Sequence, residues 1–438
     1  MGHRTLLVVV YLIGLLAYAA VPIESGFYVP GIICAGAALL SALDLNVYRS
    51  LLLKFIVPVI GIILITTASI FLTSMAPDRQ ELRIVGEAQL IYSMWVAFTG
   101  YILITRLDGS MVRKICIVML LLILCGCILE LTTNFLAVVN DVRYAIYPPY
   151  DVAAPDTRAS YLFGGQRPNF FASEPSHLAS FVVLLLMGWW IFARSRLDKT
   201  VIGVVMLSSI LIIRSPIILI ALAGFFLVDI YQGQRSFVSA LLKMLTVTAS
   251  MALLAIFAIA VAIPPVTKRV QMIANGKDDS FNIRIVAPIF YAQNVLTESP
   301  LFGTGIRGTK TEESMQMYLR SLSDANVNMQ RIYRLNADTD VDDQINNNFW
   351  LFWSEYGLFG GTILLVILVL LIYKELGKPI VPAILIMLLF AQVMGGVYSI
   401  RFFGTVWTIF AFLSIARRQH IISLANRSQP ISIVATEV

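Results

Sequence analysis

Residues 200–231 read TVIGVVMLSSILIIRSPIILIALAGFFLVDIY, an apolar run interrupted at Arg214-Ser215-Pro216. The run is too long for one ordinary membrane helix, which needs about 20 residues to cross a hydrocarbon core of about 30 Å. A guanidinium followed by proline is costly in mid-bilayer, because the charge must be solvated and proline removes a backbone hydrogen bond. Two short helices meeting near the far surface satisfy both groups better than one long helix.

That choice sets the topology of everything around it. The other apolar runs lie at roughly 5–21, 27–43, 51–75, 84–105, 115–139, 176–193, 237–263, 347–373, 379–397 and 401–416. With two helices in 200–231, about twelve spans result. The short basic connections at Arg49, Arg106/Arg113/Lys114, Arg194/Arg196/Lys199, Arg235, Lys374/Lys378 and Arg417/Arg418 then all fall in the cytoplasm, as the positive-inside rule requires. Both termini are predicted cytoplasmic. The two long polar connections, 140–175 and 264–346, are predicted outside, with short helices at 281–297 and 309–322 in the second. The latter opens on a capping box, Thr309 with Glu312.

Composition agrees. Of the 438 residues 58% are hydrophobic and 13% charged, and mean hydropathy is +0.82, beyond what a soluble domain covers with polar surface. The expected fold class is an all-α polytopic membrane protein, a single integral membrane domain over 1–438. A net charge of +6 would suit nucleic acid, but the cations are scattered between apolar runs and read as topology signals. Cys34, Cys116, Cys125 and Cys127 sit inside apolar runs, so no disulfide is expected. His3, Arg4 and Ala17-Tyr18-Ala19 imitate a secretory signal, but the next apolar run follows at once, and an uncleaved first span is expected.

Removing the cytoplasmic clusters leaves an outer set that is mostly arginine: Arg79, Arg83, Arg143, Arg158, Arg167, Arg214, Arg284, Arg307, Arg320, Arg331, Arg334 and Arg401. A planar guanidinium binds phosphate oxygens bidentately, which suits a phosphate-bearing lipid or an acidic polymer. Pairing with Asp141, Asp156 or Asp338 is the plainer alternative, least available to Arg214, which has no acid beside it.

Glu174 and His177, in Ser173-Glu174-Pro175-Ser176-His177, stand about one helical turn apart where a span begins, a carboxylate and an imidazole suited to acid and base work. The same residues also read as a plain helix start capped by Ser173. Gly303 and Gly305 permit a tight turn that could offer N–H groups to an anion. Asn347, Asn348 and Trp350 open another span, where amides and aromatics suit sugar contact or an interfacial belt. The acids at Asp338, Asp340, Asp342 and Asp343 lack the glycine and glutamate of a calcium loop, and no metal site is expected. Glu130 is the carboxylate deepest in a span, a partner for Arg214 or for a neighbouring helix. Lys54 and Asp229 are expected to snorkel at cytoplasmic ends.

Taken together, Arg158 and Phe163-Gly164, Glu174-Pro175-Ser176, Arg214-Ser215, Arg284 ahead of Pro300-Leu301-Phe302-Gly303-Thr304-Gly305, and Asn347-Asn348-Phe349 ahead of Glu355-Tyr356-Gly357-Leu358-Phe359-Gly360 resemble the bacterial O-antigen polymerase and ligase superfamily over roughly 140–361. The resemblance implies a metal-independent, cofactor-free, inverting glycosyltransferase of the inner (cytoplasmic) membrane. Its donor and acceptor would be undecaprenyl-pyrophosphate-linked glycans at the periplasmic face, and a chain-length regulator protein is an optional partner. It assigns pyrophosphate to Arg214 and Arg284, with Arg158 or Arg167 as a third, and the proton of the acceptor hydroxyl to Glu174 or His177. Ligases of the superfamily carry a His-Asn pair where this chain has Asn347-Asn348. That departure favours a Wzy-type polysaccharide polymerase over a ligase acting on a lipid or protein acceptor. A lipid or sugar transporter is the reading from another class; it predicts inverted repeats and midplane charge pairs, and neither is evident.

Overall fold

A computed structural model describes residues 2–24, 27–73, 80–147, 167–232, 271–272, 275, 281–306, 312–325, 347–377, 380–394 and 399–428. Helices α1 (His3–Leu16) and α2 (Ile32–Ala42) pack side by side, joined by an antiparallel hairpin of β1 (Ala20–Glu24) and β2 (Phe27–Pro30). The hairpin departs from the all-helical expectation, and it shortens both expected spans. Pro22 and Pro30 have no N–H to give a helix, and the alternation of β-branched and aromatic residues suits a strand.

Next come α3 (Leu45–Leu72), α4 (Gln80–Ile104) and α5 (Gly109–Thr132). The expected span 115–139 is cut at Thr133, and a separate α6 (Phe135–Ile146) follows. Helices α7 (Pro175–Ile191) and α8 (Arg196–Ile213) form a tight pair across the turn 192–195, where the Ser195 hydroxyl caps α8 by accepting from the Asp198 N–H. As the sequence predicts, the 200–231 run is broken. Arg214 ends α8 in the left-handed region (φ 55°, ψ 41°), a 3-10 turn spans Pro216–Leu219, and α9 (Ile220–Gln232) resumes.

Both short helices expected in the second long connection are present: α10 (Ala287–Glu298), preceded by a π-helical turn at Asn282–Val286, and α11 (Glu312–Asp324). The chain closes with α12 (Asn348–Leu376), α13 (Val381–Ala391) and α14 (Ile400–Ser428). The expected span 237–263, Arg158, Arg235 and the 338–343 acids lie outside the described residues.

Among the described residues, α3, α5, α12 and α14 contain stretches long and apolar enough to cross a membrane, with shorter apolar helices beside them. The protein is a multi-pass helical membrane protein. Leu53, Val57, Leu64 and Phe71 of α3 stay uncovered, as a lipid-facing helix requires. Inside, α4 packs most extensively on α14, and Phe55, Phe98, Tyr101, Trp407 and Phe410 interlock through stacked and edge-on rings. Helix α7 is buried almost all round. A helix without a polar face belongs at the centre of a bundle, so the residues at its N-terminus reach the middle of one end.

The cationic clusters collect at the other end. There Arg4 and Arg106 pair with Asp44, Arg113 with Asp198, Lys199 with Asp229 and Lys54 with Glu375. Lys54 and Asp229 therefore make ion pairs rather than simply snorkelling. All four cysteines are free, as expected.

Candidate active site

Pro175 occupies the first turn of α7, where its missing N–H costs nothing, and Glu174 is the N-cap residue. The sequence reading put the cap on Ser173. Its hydroxyl instead lies 2.7 Å from His177 Nδ1, reaching across one helical turn. The Glu174 carboxylate makes no cap hydrogen bond and accepts from the Ser176 hydroxyl at 2.8 Å. Glu174 and His177 are both half-buried.

The loop leading into this helix turn is held in a conformation its residues do not favour. Phe170 and Phe171 have positive φ (37° and 62°), which costs about 1–3 kcal/mol each for residues bearing a Cβ. Three side chains fix it. Glu130 accepts from the backbone N–H of Asn169 (2.9 Å) and Phe170 (2.6 Å), the Tyr147 hydroxyl donates to the Phe171 carbonyl, and the Arg143 guanidinium donates to the Ser173 carbonyl. Glu130 thus anchors a backbone turn through these two hydrogen bonds, with the Arg143 charge nearby. Gly126 completes the seat, since a Cβ there would fall 1.9 Å from the Phe170 ring.

From the opposite side comes Arg401, the second residue of α14. Its guanidinium lies 2.8 Å from His177 Nδ1 and 3.5 Å from the Ser173 hydroxyl, and it stacks over the Tyr18 ring at 4.4 Å. Arg143 and Arg401 thus meet at Ser173. Both were in the outer arginine set, but neither was placed at the site, and Tyr18 was read as part of a span. The only signal for Arg401 was an arginine at the very start of an apolar run.

The other expected residues fall elsewhere on the structure. Arg214 is half-buried at the break between α8 and α9, at the end where α7 begins, because α7 and α8 form a tight pair. Arg284 lies on the π-helical turn before α10; such turns are often found at functional sites. Arg167 is half-buried at the start of the described loop. Asn347 caps α12 by accepting from the Trp350 N–H, and its amide donates to Gln392. The Asn348 backbone N–H goes to the Met394 carbonyl, while its buried side-chain amide has no hydrogen-bond partner among the described residues. That amide faces an apolar groove with a cavity volume of roughly 100 Å³, lined by Ile62, Met94, Phe352, Trp407 and Phe410 among others.

The two glycine motifs turn out to be halves of one joint. Thr304 and Gly305 donate to the Ser354 and Glu355 carbonyls, and Leu358 and Phe359 donate to the Pro300 and Leu301 carbonyls. The joint forms where α12 is interrupted at Gly357 (φ 64°, ψ −174°), a conformation open to glycine alone. A Cβ on Gly303 would lie 2.0 Å from the Ser354 oxygen. These N–H groups are taken up by the joint, so the turn is a splint for α12 and not an anion cradle.

Fold and site together define a membrane-embedded helical protein with a carboxylate, an imidazole and guanidinium groups gathered at one end of the bundle. A family model described as O-antigen ligase matches residues 213–365, which cover the Arg214 break, the Arg284 turn and both halves of the glycine joint. The matched stretch is consistent with the O-antigen polymerase and ligase superfamily that the motifs resemble, a family that implies a membrane enzyme acting on glycans. No curated protein matches the chain.

Proposed function

We propose that this protein is a metal-independent, inverting glycosyltransferase that polymerises undecaprenyl-pyrophosphate-linked repeat units into a surface polysaccharide at the periplasmic face of the bacterial inner membrane, with both termini cytoplasmic. The observation that carries the reading is the family match running through Arg214 and Arg284, with Glu174 and His177 at the end of the bundle where α8 breaks. In the reaction, Glu174 or His177 takes the proton from an acceptor sugar hydroxyl. The oxygen attacks the anomeric carbon as the bond to pyrophosphate breaks on the opposite face, and undecaprenyl pyrophosphate leaves with the electron pair. Guanidinium groups at Arg214 and Arg284, with Arg167 or Arg158 as a third, stabilise the charge that develops on that leaving group. The apolar groove under Asn348 has the chemistry to take a polyprenyl tail.

Transfer to a lipid or protein acceptor is the second reading, favoured by the description of the matched family as a ligase. The two separate when purified protein is incubated with a lipid-linked repeat unit. A ladder of products supports polymerisation, transfer to a non-polyprenyl acceptor supports the ligase, and movement across the bilayer without covalent change overturns both. Arg214→Ala and Arg284→Ala are expected to abolish product while leaving folded protein; full activity in both would remove the pyrophosphate assignment.

A further inference from the structure

An arginine side chain has five N–H donors and no acceptor, so a ring nitrogen within hydrogen-bond reach of it must be accepting. Arg401 Nη1 stands 2.8 Å from His177 Nδ1. The lone pair is therefore on Nδ1 and the ring proton on Nε2. The guanidinium making this contact is held on several sides. It sits over the Tyr18 ring at 4.4 Å, and the Tyr18 hydroxyl accepts from Ser399 Oγ at 3.3 Å, while Ser399 Oγ in turn accepts from the Arg401 backbone N–H at 3.0 Å. The Ser173 hydroxyl, 2.7 Å from Nδ1 and 3.5 Å from Arg401 Nη2, closes the ring of contacts. The loop before α7 and the start of α14 thus meet at one imidazole nitrogen, and the connection after α1 backs the guanidinium that reaches it.

We propose that Arg401 is a positioning residue that locks His177 as the neutral Nε2–H tautomer, making His177 a hydrogen-bond donor at the reaction centre and leaving Glu174 to take the proton. The division of labour rests on the glycosyl-transfer reading; the lock itself does not. A base needs a lone pair directed at the proton it removes, and the lone pair of His177 is directed at Arg401. Glu174, by contrast, is acceptor-only as a carboxylate, and its Oε2 already accepts a hydroxyl proton, that of Ser176 at 2.8 Å.

The chain contains three histidines, His3, His177 and His420, which makes nitrogen NMR of ¹⁵N-histidine-labelled full-length protein in lipid nanodiscs decisive. His177 is assigned by the resonances lost in His177→Gln. In the wild type its proton is expected on Nε2; a proton on Nδ1, or on both nitrogens, overturns the lock. The wild-type spectrum needs no variant, so the proposal stays falsifiable even where a variant folds poorly. In Arg401→Met the Nδ1–H or doubly protonated form is expected to appear, whereas an unchanged spectrum overturns the assignment to Arg401. With a lipid-linked substrate, kcat is expected to fall ~10²-fold in Arg401→Met with KM little changed, and Arg401→Lys, still an obligate donor, is expected to recover part of it. Glu174→Gln retaining full transfer overturns the role given to Glu174 and leaves the lock standing.

Discussion

The two ends of this bundle handle their cations in opposite ways. At the end predicted to be cytoplasmic, each of several basic side chains meets a carboxylate: Arg113 has Asp198 at 2.9 Å, Lys199 has Asp229 at 2.7 Å, and Arg106 has Asp44 at 3.2 Å. At the end where α7 begins, Arg143 donates to the Ser173 carbonyl and Asn140, and Arg401 to His177 and Ser173. Among the described residues neither has a carboxylate within ion-pair distance. A cation neutralised by a fixed acid contributes to folding and topology. One held by neutral acceptors keeps its charge available to an incoming anion, at the cost of burying that charge in the resting protein.

The contrast breaks most sharply at Arg143. Replacing it with Met removes the donor to the Ser173 carbonyl and loosens the strained turn that carries Glu174. A displacement of about 1 Å in a reacting group costs on the order of 10²-fold in rate, so Arg143→Met is expected to lower turnover about that much, beyond any loss of folded protein. Product formation per folded molecule, with folding read by size-exclusion and thermal unfolding, checks it. Turnover within about twofold of wild type would show that the loop does not need this tie.

Asp198 provides the converse. It is largely buried and accepts from Arg113, from the Trp189 indole and from the Arg194 backbone N–H. Asp198→Asn leaves Arg113 without its counter-charge, and breaking such a pair is expected to cost roughly 1–3 kcal/mol, seen as a lower unfolding temperature in nanodiscs. Activity per folded molecule should stay near wild type. If Asp198→Asn lost turnover and kept stability, the division between the two ends would fail.

How far the sequence foretold this depends on distance along the chain. The break at Arg214 was legible because Arg, Ser and Pro stand together, and the helices around it announce themselves by length and apolarity. That Glu174 and His177 stand about one turn apart at the start of a helix was legible from their spacing alone. The contact between Arg401 and His177 crosses 224 positions, and no local pattern encodes it. The glycine joint hid differently: both motifs were visible, but the N–H groups that suggested an anion site are consumed by a segment some fifty residues away. The hairpin at Ala20–Pro30 was missed because hydropathy alone does not tell a strand from a short span.

Asp44 gives the smallest effect and tests the paired end by pH. It stands just before α3, where its carboxylate accepts from the Asn46 backbone N–H at 3.0 Å, with Arg106 and Arg4 beside it. The backbone N–H of Asn46 first, then the two guanidinium groups, hold its pKa below the usual carboxylate value. A group depressed in this way binds fewer protons folded than unfolded. Its contribution is therefore fully present above the unfolded value of about 3.9 and is lost as pH falls through the lower folded value. Because the group is exposed to water and salt, the effect is small. Thermal unfolding followed from about pH 6 down to pH 3 is expected to steepen below about pH 4 in the wild type and to be flatter in Asp44→Asn. Identical curves would mean that this pairing contributes nothing measurable, and the paired end would then rest on its more buried members, Asp198 and Glu375.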